Sequence, residues 1–398
     1  MTDRPKTLLF IQDQPKFKWR GMHLDVARHY MPVSFIKKFL DTMAFYKLNV
    51  FHIHFTDDQG WRIEIEKYPR LHQIASSREE TLIGKQDSSP KLYDGQVHSG
   101  YYTKQEIREI VEYAKDRYIT IIPEIDMPGH TQAVLAAYPE YSCTDMTMEV
   151  RTQWGISQHI INPAPKTIEF VKDILDEIVE LFPSEYIHIG GDEAHKYEWE
   201  ENKEIQNQMS SLGLTSENQL QGWFINELAQ HLKLKGRKLI GWNEILEGGF
   251  LKDVAVMTWI GGEKAVREAL EKGEKVVLTP CEYTYFDYCQ NDKYEDEPLN
   301  IGGYISLEKV YMGFDHWIPS GFENKVEGIQ GQLWTEYMKT PKEVEYMAFP
   351  RLFAMAEIAW STDSSKDWLE FKKRVRDHFK YLDQRQIYYY NKTLDHVE

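Results

Sequence analysis

The stretch Thr103–Ile125, TKQEIREIVEYAKDRYITIIPEI, holds one complete unit of the fold. Thr103 followed by Glu106 reads as a capping box, and Ile107, Ile110, Val111 and Ala114 recur at helical spacing. From Tyr118 the pattern changes to a short β-branched run that ends at Ile125. Working outward, the same alternation fills the chain. Apolar or β-branched runs stand at 17–24, 48–55, 118–125, 185–191, 237–242, 254–259, 275–279 and 328–334. Helix-like segments separate them at 32–47, 104–116, 165–182, 216–235, 262–271 and 341–360, and 304–311 supplies at most a short turn of helix. Strand followed by helix, repeated, is the pattern of a parallel sheet, and eight such units predict a closed (β/α)8 TIM barrel. The expected division is a stub at 1–16, one barrel domain at 17–385 and a tail at 386–398, with no linker or internal repeat.

Composition narrows the function classes. The chain has 398 residues, 42% of them hydrophobic, which is enough for a large core and excludes disorder. Its net charge of −16 repels phosphate backbones and anionic lipid, so nucleic acid is not an expected partner. No run of about 18 apolar residues predicts a membrane span. The N-terminus lacks the features of a secretory leader, which reads as cytoplasmic, or as extracellular where a signal has been removed. Cys143, Cys281 and Cys289 are odd in number and show no CxxC spacing, against both a disulfide framework and a cysteine zinc site. No cofactor or metal is expected, and a homo-oligomer is left open. With 11 Trp and 24 Tyr, aromatic faces are abundant, as suits binding to the C–H faces of sugar rings.

In such barrels chemistry gathers where strands end. The first run carries Arg20, His23 and Asp25, and the second ends His52, His54, Asp57, Asp58, Gln59. The third ends Glu124, Asp126, His130, and the fourth Gly190, Gly191, Asp192, Glu193. Then come Trp242 and Glu244, Trp259, Tyr285 and Asp287, and finally Trp334 and Glu336. Taken singly, Arg20 or Arg62 reads as a surface ion-pair partner, His52 and His54 as core or supporting histidines, and a lone Trp as packing. The Asp192–Glu193 pair after two glycines resists such a reading, because adjacent buried carboxylates repel. Adjacent acids are poorly placed to straddle a bond as the two carboxyls of an ordinary retaining glycosidase do. They suit a division of labour: one protonates the leaving oxygen and the other handles another part of the substrate.

The blocks HxHxxDDQGWR (from His52), PEIDMPGH (to His130), HIGGDE (188–193), Tyr285-Phe286-Asp287, LWTE (333–336) and Phe349-Pro350-Arg351 together resemble glycoside hydrolase family 20, the β-N-acetylhexosaminidases. The resemblance implies removal of a terminal GlcNAc or GalNAc from an oligosaccharide or glycoconjugate, with retention, through an oxazolinium formed by the substrate's own acetamide. It implies Glu193 as general acid/base, kept protonated by burial and by Asp192, and Asp192 as holder of the acetamido N–H. It further implies Tyr285 as donor to the acetamido carbonyl, Trp242 and Trp259 around its methyl, and Trp334 beneath the sugar ring. Arg20 and Glu336 would bind O3 and O4, Asp287 would reach the neighbourhood of O6, and His130 with Asp57 would form a relay to Glu193. Relatives in this family often carry a small α/β domain ahead of the barrel, so the resemblance is to a barrel-only member. The insertions at about 140–163 and 281–325 match no motif.

Three rivals remain at this stage. A metal-dependent amidohydrolase barrel would use His52, His54, His130, His188 and Asp57 for zinc, although its HxH belongs on the first strand. A carbohydrate-binding barrel without catalysis would keep the tryptophans alone. A conventional glycosidase would take Glu336 as nucleophile.

Overall fold

The computed structural model describes residues 13–249, 253–272, 274–362 and 366–392. All eight expected runs contain a strand: β1 (Trp19–Asp25), β2 (Val50–His54), β3 (Thr120–Glu124), β4 (Tyr186–His188), β5 (Lys238–Trp242), β6 (Ala255–Thr258), β7 (Lys275–Leu278) and β8 (Val326–Gly331). They form a closed parallel barrel in chain order, with β1 paired to both β2 and β8. Residues 1–12 of the expected stub and 393–398 of the expected tail lie outside the described residues. At the start, the Phe17 N–H donates to the Ala359 carbonyl, and near the end the Tyr390 N–H donates to that of Phe349.

The crossover helices are α1 (Val33–Phe45), α2 (Lys104–Lys115), α3 (Pro165–Leu181), α4 (Glu217–Leu234), α5 (Gly262–Glu271) and α6 (Leu307–Met312). The capping box of α2 is complete in both directions between Thr103 and Glu106. The single helix expected over 341–360 is divided into α7 (Pro341–Ala348) and α8 (Arg351–Trp360). Pro350 lacks an N–H and its ring crowds the preceding turn, so the helix must stop and restart there. A further helix, α9 (Trp368–Gln384), follows.

Side chains alternate across each strand, and the alternation sorts the two cores. One large apolar cluster fills the space between sheet and helices. A second, smaller one lines the lumen: Trp19, Val50, Ile122, Tyr186, Ile240 and their neighbours on β6 and β7. Two residues further along the same strands come His52, Glu124, His188 and Trp242, on the same face and all buried. The lumen therefore changes from apolar to polar toward the strand C-termini, where the site lies.

Candidate active site

The acidic pair owes its placement to the glycines before it. Gly190 has φ 67° and Gly191 φ 92°, conformations that an L side chain rarely adopts. A Cβ on Gly190 would stand 1.6 Å from Asp126 Oδ1, the atom that accepts the Gly191 N–H at 3.2 Å. Glu193 itself has φ 47°, strain of a kind that collects at functional sites. The strand has given way by this point, so both acids reach one space. The burial expected of Glu193 falls instead on Asp192, whose side chain is 11% exposed against 31% for that of Glu193. Asp192 Oδ1 is buried without a hydrogen-bond partner. Burial, then the charges of Asp126, Glu244 and Glu193, hold the Asp192 carboxyl well above the usual range despite His130.

His130 joins this pair to the lumen. Its Nε2 lies 3.4 Å from Glu193 Oε2 and 3.6 Å from Asp192 Oδ2, while Nδ1 lies 3.2 Å from Asp57 Oδ1. Burial opposes a charge on His130, but Asp57, Glu193 and Asp126 outweigh it and hold the imidazole pKa well above the ordinary value. The chain continues inward. His54 Nε2 lies 2.8 Å from Asp57 Oδ2 and its Nδ1 2.7 Å from Glu124 Oε2. With both ring nitrogens on carboxylates, His54 also stays an imidazolium against the cost of burial. Glu124 takes the Trp242 indole N–H at 2.9 Å. The relay from Asp57 through His130 to Glu193 expected from the motifs is thus present as geometry, and it is rooted in Glu124, which those motifs did not single out.

Arg20 requires a correction. It is the second residue of β1, one out of step with the inward-facing Trp19, Gly21 and His23, and it lies at the barrel end opposite the acids. Its guanidinium donates to the carbonyls of Lys47 and Phe17 and covers the Trp360 ring. The arginine at the site is Arg28, just beyond the C-terminal end of β1. Arg28 lies 2.8 Å from Asp57 Oδ2, 3.2 Å from Asp25 Oδ2 and 3.9 Å from Glu336 Oε1, with its guanidinium over the Trp334 ring. Asp25 Oδ1 accepts the N–H groups of Ala27 and Arg28, which sets the turn that presents the side chain. Strand direction was the signal available in the sequence: an arginine at the start of a run cannot reach the rim, and one three residues past its end can. Arg62 is no surface ion-pair partner either; it is buried and donates to the carbonyls of Ala27, Ser76 and Gly100.

Glu336 and Asp287 share this side. Burial lifts the Glu336 carboxyl above its ordinary range even against Arg28, and burial with the Glu336 charge does the same to Asp287. Asp287 Oδ1 is buried without a partner. The Tyr285–Asp287 segment is tied down by Arg351, whose guanidinium donates to the carbonyls of Phe286, Tyr288 and Ile305.

Four aromatic rings close the wall. Trp242 lies 6.5 Å from Trp259 and 5.9 Å from Trp334 between ring centroids. Trp259 and Tyr285 are stacked at 5.9 Å, and Tyr285 stands 6.3 Å from Trp334. Burial and the nearby Asp287 and Asp192 charges push the Tyr285 hydroxyl well above its ordinary pKa, so it remains a donor. Of the site residues expected from the sequence, Arg20 lies away from this rim.

Among the described residues, the histidines of the zinc reading fall in overlapping groups that share Glu124, Asp57 and Asp126: His23 and His54 with Glu124, His52 and His188 with Glu124, His54 with Asp57 and Asp126, and His130 with Asp57 and Asp58 or with Asp126 and Asp192. Within them the histidine nitrogens already lie against carboxylates, His52, His54 and His188 on Glu124 and His130 on Asp57. The unmatched insertion at 140–163 supports the rim: Asp58 accepts the Ser157 N–H, and Trp154 sits 6.1 Å from Tyr337. Among the described residues no helix is long and apolar enough to cross a membrane.

The comparisons with known proteins agree with this geometry. The profile of the glycosyl hydrolase family 20 catalytic domain matches residues 17–363. A β-hexosaminidase of Porphyromonas gingivalis is 41% identical over 384 residues, covering 96% of this chain and 48% of that protein. One of Vibrio furnissii is 36% identical over 87% of this chain and 57% of its own length. The chain therefore spans about half the length of these two curated relatives. Among solved structures, a β-N-acetylhexosaminidase superimposes with a TM-score of 0.86 at 32% identity, over 93% of this chain and 78% of that one. The exo-β-N-acetylglucosaminidase of Vibrio harveyi, solved with N-acetylglucosamine, gives 0.84 at 34% identity, over 95% and 60%.

Proposed function

Because the chain belongs to glycosyl hydrolase family 20, we propose that it hydrolyses terminal β-linked N-acetylhexosamine from oligosaccharides or glycoconjugates, acting from the non-reducing end and retaining the anomeric configuration. The observation that carries this reading is the Asp192–Glu193 pair: adjacent acids, one buried with a free oxygen and one open to the rim, facing a wall of Trp242, Trp259, Trp334 and Tyr285.

The chemistry follows from their separate environments. Glu193 gives its proton to the departing glycosidic oxygen as the bond to C1 breaks. The acetamido carbonyl oxygen forms the new bond to C1, with its N–H on Asp192 Oδ1 and its oxygen accepting from Tyr285. Burial holds the Asp192 carboxyl toward its neutral form; an N–H donated to the partnerless Oδ1 and the positive charge developing on the oxazolinium favour the charged form, so the contact strengthens in the transition state. Water then adds to C1, reopening the ring, and returns a proton to Glu193. His130, cationic between Asp57 and Glu193, moderates the changing charge on Glu193. Arg28, Glu336 and Asp287 supply hydroxyl contacts, and Trp334 supplies a face for the ring.

The rival use of Glu336 as nucleophile fits less well, since its surroundings are Arg28, Asp25 and Asp57 and its carboxyl is lifted toward the neutral form. Turnover of an aryl β-N-acetylglucosaminide against the matching aryl glucoside tests the proposal. A large preference for the acetamide, with strong inhibition by a thiazoline mimic, is expected. Comparable cleavage of both, or an ester trapped on Glu336, would overturn it. Activity abolished by a chelator and restored by zinc would return the metal reading.

A further inference from the structure

Glu244 belongs to neither the acidic pair nor the aromatic wall, yet it holds the wall through Trp259 and its charge acts on both acids. It lies in the short turn Asn243–Leu246 that follows β5. Its Oε2 accepts the Trp259 indole N–H at 2.8 Å, and Asn243 Oδ1 accepts the Trp259 backbone N–H at 3.0 Å. The two side chains of one turn thereby grip one tryptophan at its ring and at its backbone. Trp259 in turn stacks on Tyr285 with the ring planes 12° apart.

The same turn presses on the glycines that carry the acids. A Cβ on Gly191 would stand 2.4 Å from Ile245 Cγ2, and the Trp242 N–H donates to the Gly190 carbonyl at 2.9 Å. Gln221 fixes the other side, donating to the Gly191 carbonyl at 2.7 Å. One turn therefore sets the spacing between the Asp192–Glu193 loop and the Trp259–Tyr285 stack. Burial, with Glu193 and Glu247 nearby, lifts the Glu244 carboxyl to about 7, while the indole N–H favours its charged form. An acid kept at that cost has a structural task or a functional one, and the partner it holds decides which.

We propose that Glu244 is a positioning residue for the reaction: through Trp259 it sets where the wall stands relative to Asp192, and so fixes the seat of the substrate's acyl group and the size of acyl group accepted. This inference rests on the function proposed above. It places the energetic effect in turnover and acyl selectivity more than in overall sugar binding, because a small displacement of the attacking carbonyl costs rate steeply.

The test compares aryl glucosaminides bearing N-acetyl and N-propionyl groups, together with the aryl glucoside, on wild type, Glu244→Gln, Glu244→Ala, Trp259→Phe and the double variant Glu244→Ala/Trp259→Phe. Glu244→Gln keeps an acceptor for the indole and should retain near wild-type acyl selectivity. Glu244→Ala should lower kcat about 10- to 100-fold for the N-acetyl substrate and narrow its preference over N-propionyl, with KM changed less. In the Trp259→Phe background, where the donor is gone, adding Glu244→Ala should cost little more. Wild-type selectivity in Glu244→Ala, or fully additive losses in the double variant, would overturn the assignment. Should Glu244→Ala fail to fold, Trp259→Phe against Glu244→Gln decides: Trp259→Phe must narrow acyl selectivity while Glu244→Gln must not. Failure of the underlying function is separately visible, as wild-type enzyme cleaving the glucoside as well as the N-acetyl substrate.

Discussion

Arg28 Nη2 lies 2.8 Å from Asp57 Oδ2, and both side chains are almost wholly buried. The pair joins the side of the site that holds Glu336 to the chain of contacts that reaches Glu193, because Asp57 also faces His130 and His54. Burial alone would raise the Asp57 carboxyl, but Arg28, His130 and His54 hold it well below the ordinary range.

Removing Arg28 therefore costs twice. On the function proposed above, Arg28→Ala should lose a contact to the sugar, and it leaves Asp57 buried without its main counter-charge, a loss of about 3–5 kcal/mol for a broken buried pair. Arg20→Ala removes carbonyl contacts and a cover over Trp360 at the far end of the barrel. It should lower the unfolding midpoint modestly and leave kcat/KM within about twofold. Kinetics and urea unfolding of the two variants separate them. A collapse of activity in Arg20→Ala would reinstate it at the site.

Glu193→Gln should depress turnover roughly 10²–10⁴-fold, the usual scale for lost acid catalysis. The loss should shrink on an aryl substrate whose leaving group departs without a proton. Equal losses on poor and good leaving groups would remove Glu193 from the acid's role.

Asp57→Asn keeps the shape of the relay while cancelling its charge. His130 loses the strongest of the charges that hold its proton, and Arg28 loses the nearest of its three carboxylates. Turnover should fall by about 10- to 100-fold, the range for a lost residue that orients another group. His130→Ala added to Asp57→Asn should lose much less than the two single effects combined, as for residues acting as a unit. Independent, multiplying losses would show that no relay exists.

Asp126 gives a stability signature. Burial with Glu124 and Asp57 nearby raises its carboxyl to about 8. The folded chain then keeps a proton that the unfolded chain releases near pH 4. That contribution is fully present below about pH 4 and is lost as pH rises through about 8. Asp126→Asn retains an acceptor for the Gly191 N–H but cannot titrate. Urea unfolding at pH 5 and pH 8 should show a smaller decline with pH in Asp126→Asn than in wild type. An equal or steeper decline contradicts the assignment.

Legibility followed the range of the interactions. The capping box of α2, the eight β-rich runs and the Gly-Gly-Asp-Glu turn are local, so their spacing reads directly from the chain. Pro350 was equally local, and its division of the helix into α7 and α8 could have been read from its missing N–H. Arg28 and Glu244 were harder, because their importance lies in partners that come from other strands: Asp57 and Glu336 for the first, Trp259 for the second. Glu124 was visible at a strand end, but that it anchors His52, His54 and Trp242 needed the closed lumen.

From residue order came the barrel, the gathering of acids and aromatics at its strand ends and the adjacency of Asp192 and Glu193, because periodicity, turn residues and side-chain type act within a few positions of one another. Only the folded barrel decided which arginine stands at the rim, which of the two acids is buried, and which carboxylates flank His54 and His130. Those properties depend on burial and on charges a few ångströms apart that come from different strands, and no spacing along the chain encodes them.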